Sequence, residues 1–358
     1  FIRREGRPSE AAILSGRLID RSLRPLFDQR MRRDVQIVIT VLSYDEENDP
    51  DFITLLSASA ALAISEIPWA GPIAGVRIAK KENNATIINP TNSFFLEDKT
   101  LFDAFIAGTG EKINMIELGG NEVKEDEVIE SFKQAHQEIG KLIEFQKELV
   151  GKFGKPKTKV ELAGPSAELV KKVQDFLKGK LEEAVYVKQK TDRVSKIEEL
   201  KKNFKEHLTA EGLSEQLSDA DALFEEELDK LVRKNIVESD KRPDGRKPDE
   251  VRELYAEVGL FKRLHGSALF IRGNTQALAV TTLAAPGAEQ LIETMEISGK
   301  RRFMLHYNFP PYCTGEIGRM GGPGRREIGH GALAEKALKF IIPSQEEFPY
   351  TIRVVSEI

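Results

Sequence analysis

Two adjacent arginines, Arg325 and Arg326, follow a run of glycine and proline (Gly321, Gly322, Pro323, Gly324) and open a segment with helical spacing. Glycine lets backbone approach a ligand closely, and a helix start points unpaired N–H groups outward. Guanidinium groups add planar forks of donors that match phosphate oxygens. The stretch 319–343 therefore reads as an oxyanion cradle, although a solvated basic turn would use the same residue types. His330, five positions after Arg325, is near enough to face the same site; a histidine at a helix start also serves in packing. Tyr312 and Cys313 lie on the loop before the arginines, and His265 and His306 read as packed within strands.

The elements that must position this cradle are announced by an internal echo. Gly16 to Arg24 (GRLIDRSLR) lies over Gly331 to Lys339 (GALAEKALK), an offset of 315. Upstream, Gly6-Arg7 followed by Glu10 echoes Gly324-Arg325 followed by Glu327; downstream, Ile39 to Ser43 echoes Ile352 to Ser356. Both halves run in the same order: a Gly-Arg loop, a basic amphipathic helix, a β-branched strand. A duplication accounts for this better than chance, and a repeat fixes architecture before anything else does.

Arg17, Arg21 and Arg24 recur at i, i+4 and i+7 and share one helical face, with Ile13, Leu14, Leu18 and Ile19 supplying an apolar one. That face is either a solvated surface or a polyanion contact. Val35, Ile37, Ile39 and Val41 alternate as in a strand. Thr54 to Ser65 reads as a tightly packed buried helix, and 76–79 with 85–89 as a hairpin around Lys81 to Asn84. Beyond about residue 122 the chain becomes rich in Lys and Glu and takes helical spacing, broken at Gly154-Lys-Pro156. Gly164-Pro165-Ser166 signals one helix start and Ser218 or Asp219 another. Strand signals return near Lys241, with 265–272 and 275–283 joined by Gly273-Asn274 as a two-residue hairpin turn. Three domains are expected: 1–152, a 153–237 all-helical domain in which nothing reads as catalytic, and 238–358.

Composition limits the alternatives. A chain of 358 residues suits two or three domains, and 40% hydrophobic content supports real cores. The net charge of −5 restricts any nucleic-acid contact to local basic patches. Cys313, the single cysteine, rules out an internal disulfide framework or a Cys-based zinc site and fits a reducing compartment. No apolar run reaches membrane-spanning length and no signal peptide is visible, so a cytoplasmic protein with no membrane partner is expected. The chain begins at Phe1 without methionine and ends at Ile358 inside a strand pattern, which reads as part of a longer protein.

With these features in hand, the sequence resembles the bacterial polynucleotide phosphorylase family across essentially its whole length. The matching stretches are Arg3 to Glu10 (RREGRPSE), Arg17 to Arg21 (RLIDR), His265 to Phe270 (HGSALF), His306 to Tyr312 (HYNFPPY) and Arg325 to Gly331 (RREIGHG). The resemblance implies an α/β (α+β) chain. Two RNase PH-like domains of the ribosomal protein S5 domain 2-like type, related by internal duplication, would be separated by an all-α domain. On this reading the chain holds the later part of the first such domain and the earlier part of the second.

The implied activity is 3′-to-5′ exoribonuclease action on single-stranded RNA by phosphorolysis in mRNA turnover, releasing nucleoside 5′-diphosphates and running backwards as polymerisation. Inorganic phosphate is the co-substrate, and three chains form a homotrimer ring around the RNA. Arg325 and Arg326 match the arginine pair beside phosphate and RNA. Phe1, Arg3 and Arg4 match a Phe-Phe-Arg-Arg loop that grips RNA at the central aperture, with Ile2 replacing the second phenylalanine. The resemblance also implies Mg²⁺, its carboxylate ligands expected beyond residue 358, so no metal ligand is assigned here and a piece with this sequence alone is expected to be inactive. The alternative reading is a non-catalytic, RNA-binding component of an exosome-like ring.

Overall fold

The computed structural model describes residues 6, 8–82, 85–97, 100–160, 164–294 and 298–358. Their contacts divide them into two compact units, each treated separately below.

The larger unit begins with α1 (Glu10–Leu23), whose N-cap Ser9 accepts a hydrogen bond from the Ala12 amide, and a 3-10 turn, Arg24–Leu26. Next comes α2 (Pro50–Ile64), started by Asp49 and by proline in the first turn. There follow β1 (Ala74–Lys81), β2 (Ile87–Ile88), the short α3 (Phe94–Glu97), β3 (Thr100–Gly108) and β4 (Ile113–Gly120). They form an antiparallel sheet ordered β2-β1-β3-β4. The 29-residue α4 (Glu125–Phe153) opens on three acids that complement its dipole and closes at Gly154.

This sheet is covered on both faces because its strands carry apolar residues in both phases. Phe102, Ala104 and Ile106 pack with Ala135, Ile139 and Ile143 of α4. Phe105 and Ala107 pack with Leu18, Ile19 and Leu23 of α1 and Leu55, Ala58 and Leu62 of α2. Period-two alternation sends neighbouring residues to opposite layers.

The second unit is all-helical: α5 (Ala167–Leu177), capped by Ser166, then α6 (Lys180–Val185), α7 (Lys190–Ala210) and α8 (Leu217–Ser239). Leu169, Val173, Leu200, Phe204, Leu208 and Phe224 form its core. Ser218 and Asp219, expected to cap α8, lie inside it, because the 3-10 turn Ser214–Gln216 runs straight into the helix.

The larger unit resumes with β5 (Leu254–Val258), β6 (Gly266–Arg272), β7 (Thr275–Ala284), β8 (Gln290–Glu293), β9 (Ser298–Arg301) and β10 (Phe303–Asn308). It ends with α9 (Arg325–Leu338) and β11 (Thr351–Glu357). β6 and β7 meet as expected: Arg272 pairs with Thr275 across Gly273, which has φ 60°. The five-stranded sheet runs β10-β11-β7-β6-β5, with β10 and β11 parallel and the other pairs antiparallel. Thus β10, α9 and β11 form a βαβ unit, with Phe303, Leu305 and Ile352 packed on Ala334 and Leu338.

The echo in the sequence is an echo in the fold. The offset of 315 carries Glu10 onto Arg325 and Leu23 onto Leu338, and carries the 3-10 turn Arg24–Leu26 onto the turn Lys339–Ile341. In this frame Gly6-Arg7 falls three residues before Gly324-Arg325; Arg7 lies outside the described residues.

One strand expectation is corrected. The stretch 34–45 has no regular secondary structure, and Val38 and Leu42 are 76% and 92% exposed. Its counterpart β11 is held between β10 and β7. Among the described residues no strand pairs with 34–45. Without a ladder partner, β propensity alone does not make a strand.

Candidate anion-binding site

The start of α9 is built by one carboxylate. Glu327, in the first turn, accepts from the Gly324 amide through Oε2 (2.6 Å) and from the Phe309 amide through Oε1 (2.9 Å). The first bond resembles half of a capping box, and the second ties the helix start to the end of β10. This uses up the acid nearest the arginine pair. Arg325 and Arg326 are exposed, and among the described residues neither has an ion pair. They lie at the carboxyl end of parallel strands, beside helix N–H groups, where open α/β sheets ordinarily take ligands.

α1 packs against α9 and brings further cations to this place. The Arg325 Nη2 atom lies against Gly16, only 3.0 Å from where a Cβ there would stand. Reciprocally, Arg17 lies over Gly329 of α9. Arg326, Arg17 and Arg21 all act electrostatically on His330. Four guanidinium groups from two helices therefore lie at the α1–α9 contact with no carboxylate partner among the described residues, a local cationic field that attracts anions. Arg24 does not join them: Asp20, one turn earlier, binds it through oxygens 2.7 Å from its Nη2.

His330 is half-buried at the α1–α9 contact. Burial, then the positive charges of Arg326, Arg17 and Arg21, hold its pKa below the ordinary histidine value. It is thus neutral at neutral pH, one ring nitrogen donating and the other accepting. Its ring meets Tyr307 edge-on, with centroids 5.5 Å apart at 73°.

Arg325, Arg326 and His330 all lie in the first two turns of α9, and Arg326 acts on His330. Phe1, Arg3 and Arg4 lie outside the described residues. Sequence reasoning identified a basic face on α1 without joining it to the arginine pair, and it missed Tyr307 and the double role of Glu327. The available signal was the repeat itself, since two copies of one helix are natural packing partners. The Cys313 thiol donates to the Ile358 carbonyl (2.8 Å), and burial pushes its pKa up, away from the thiolate form. His265 accepts from the Leu283 amide and His306 from Arg353 Nε, so both serve the strands.

The two halves are complementary rather than equivalent. At the offset of 315, the first copy has Glu10, Ala11 and Ser15 where the second has Arg325, Arg326 and His330. The second copy has Ala332 and Lys336 at the places of Arg17 and Arg21, and Lys336 pairs with Glu117 at 3.5 Å. The two copies thus bring different side chains to the α1–α9 contact. Among the described residues no group of three His, Cys, Asp or Glu side chains could hold a metal ion, and no helix is long and apolar enough to cross a membrane.

Comparison with known proteins agrees with this geometry. Residues 1–68 and 250–358 match the 3′ exoribonuclease family, domain 1, and residues 71–138 match domain 2 of that family. Residues 168–247 match the polyribonucleotide nucleotidyltransferase RNA binding domain. The polyribonucleotide nucleotidyltransferase of Thermomicrobium roseum is 46% identical over 367 residues, covering 100% of this chain and 46% of that protein. Those of Thermotoga neapolitana and Caldicellulosiruptor saccharolyticus are each 46% identical, over 364 and 358 residues, covering 100% of this chain and 51% and 50% of their own length. The chain spans about half the length of the curated relatives it matches. Two RNase PH-like domains with a helical region between them are the architecture these matches share with the repeat seen in the fold. A duplicated scaffold, a helical insert and relatives that align from end to end of this chain together make it a member of the 3′ exoribonuclease family, among the polyribonucleotide nucleotidyltransferases.

Proposed function

We propose that this chain carries the phosphate-binding part of a phosphorolytic 3′-to-5′ exoribonuclease. The observation that supports it best is that Arg17, Arg21 and Arg326 act together on His330 while Arg325 lies against Gly16 of α1, none of the four having a carboxylate partner among the described residues. In the reaction an oxygen of inorganic phosphate attacks the phosphorus of the terminal phosphodiester. The bond from that phosphorus to the 3′ oxygen of the penultimate nucleotide breaks. The products are a nucleoside 5′-diphosphate and an RNA one nucleotide shorter with a free 3′ hydroxyl.

Two anions must meet, so charge neutralisation and positioning matter more than a protein nucleophile. Guanidinium groups on α9 would hold the incoming phosphate, and Arg17 and Arg21 on α1 would hold the RNA phosphate opposite. His330, neutral between them, can share a hydrogen bond without adding charge.

The same reading carries single-stranded RNA as substrate, a homotrimer ring, a cytoplasmic location, and domains at 1–152, 153–237 and 238–358. It also implies Mg²⁺, but the described residues offer no ligand set, and no step is assigned to the ion. The test is phosphate dependence on end-labelled single-stranded RNA with the complete protein. Nucleoside diphosphates that form only when phosphate is present support the reading. Monophosphate products, or RNA binding without turnover, refute it.

A further inference from the structure

Tyr307 is the one side chain at the cradle whose role the arginines leave unexplained. It sits near the carboxyl end of β10, half-buried. Phe309 lies behind it with the rings nearly parallel (7°) and centroids 6.2 Å apart. On the other side its ring meets the His330 imidazole edge-on. α9 can come this close because Gly331 faces the strand: a Cβ there would stand 3.4 Å from the Tyr307 Cβ. The phenol hydroxyl has no hydrogen-bond partner among the described residues, so what Tyr307 offers its neighbours is the ring.

We propose that Tyr307 is a positioning residue for His330: its ring, braced by Phe309 and seated between β10 and α9, holds the imidazole in one orientation beside Arg326. This deepens the phosphorolytic reading and rests on it. An edge-on aromatic contact fixes a ring plane without supplying or removing a proton. That suits a neutral histidine which must aim one nitrogen at a ligand. The charged groups facing His330 are Arg17 and Arg21 from α1 and Arg326 from α9; from β10 it meets Tyr307, a neutral phenol whose pKa burial pushes further up. Loss of the ring would let water in and free the imidazole to rotate, and misplaced catalytic groups lose rate steeply.

The test uses the complete protein with Tyr307→Phe, Tyr307→Leu and Tyr307→Met, each alone and combined with His330→Ala. Phosphorolysis is measured as kcat and as KM for phosphate. The His330 ring is followed by NMR titration, its signal assigned by its loss in His330→Ala. The expected result is that Leu and Met lower kcat by about tenfold with little change in KM, raise the His330 titration, and cost nothing further in the His330→Ala background. Tyr307→Phe should rescue both rate and titration to within about twofold. An additive loss in the His330→Ala background, an unmoved titration, or a larger loss in Tyr307→Phe would overturn the proposal. Should Leu and Met fail to fold, the phenylalanine arm still decides. Absence of phosphorolysis in the parent protein would refute the enzymatic reading instead, with the titration still judging the ring contact.

Discussion

Gly329 of α9 lies directly beneath the guanidinium of Arg17 from α1: a Cβ at Gly329 would stand 2.3 Å from Arg17 Nε and 2.8 Å from its Cζ. Proximity so far inside van der Waals contact forces the flexible partner to move. Gly329→Ala therefore separates stability from binding. Helix propensity favours the variant by up to about 1 kcal/mol, while the displaced Arg17 loses its place in the cradle. A charge-assisted contact is worth roughly 1.5–3 kcal/mol, so phosphate or RNA affinity should fall by roughly tenfold or more. Thermal melting together with titration of phosphate checks both halves, and an unchanged affinity would show that Arg17 does not bind the anion.

Removing both arginines from the helix start, Arg325→Ala/Arg326→Ala, should abolish phosphate-dependent release of nucleoside diphosphates, a loss of roughly 100-fold or more. Assembly and melting should change little, because both side chains are exposed and no ion pair of the described residues depends on them. In the parent protein, RNA affinity should weaken steeply with added salt, and the slope should flatten in the variant. Near-normal phosphorolysis would dismiss the cradle.

His330 gives a pH dependence with a definite sign. Its pKa is lowered in the folded protein from an ordinary 6.5, chiefly by burial and then by Arg326, Arg17 and Arg21. Between those two values the unfolded chain binds more protons than the folded one, so stability falls as pH drops below 6.5 and levels off below the folded pKa. Above 6.5 the histidine contributes no pH dependence. Urea midpoints of parent and His330→Asn, compared across this window, should converge or cross as the solution is acidified. Inorganic phosphate in the cradle offsets the guanidinium charges and should move the His330 titration upward.

The scaffold under α1 hangs on a buried polar ring. Ser59 Oγ donates to Gln146 Oε1 (2.6 Å), Gln146 Nε2 donates to the Ile73 carbonyl (2.9 Å), and the Ile73 amide donates to Ser59 Oγ (3.0 Å). All three residues are fully buried. Gln146→Leu would leave the Ile73 carbonyl and the Ser59 hydroxyl unsatisfied, at a cost of roughly 2–4 kcal/mol. Chemical denaturation measures it, and a loss under 0.5 kcal/mol (about the scatter of surface substitutions) would show that the ring is slack.

Much of this protein is legible in its residues because the signals are local. The Ser166 cap of α5 and the Gly273-Asn274 turn each act within a few residues, and each formed the expected element. The arginine pair and His330 follow the same logic, since one helix start holds all three. The repeat is also internal to the sequence, whereas the contact of α1 with α9 is a finding of the fold.

What the sequence by itself determined is the set of elements, their duplication and the chemistry of one helix end. Tertiary structure decided which charges remain free and which face each other. Arg17, Arg21 and Arg24 look equal along one helical face, yet Asp20 takes Arg24 while the glycines at 16 and 329 let α1 and α9 close until Arg17 and Arg325 share one site. The 34–45 stretch reads as a strand but forms none, because a strand exists only when another backbone completes its hydrogen bonds. Pairing across long sequence separations is a property of the packed chain, and no local pattern encodes it.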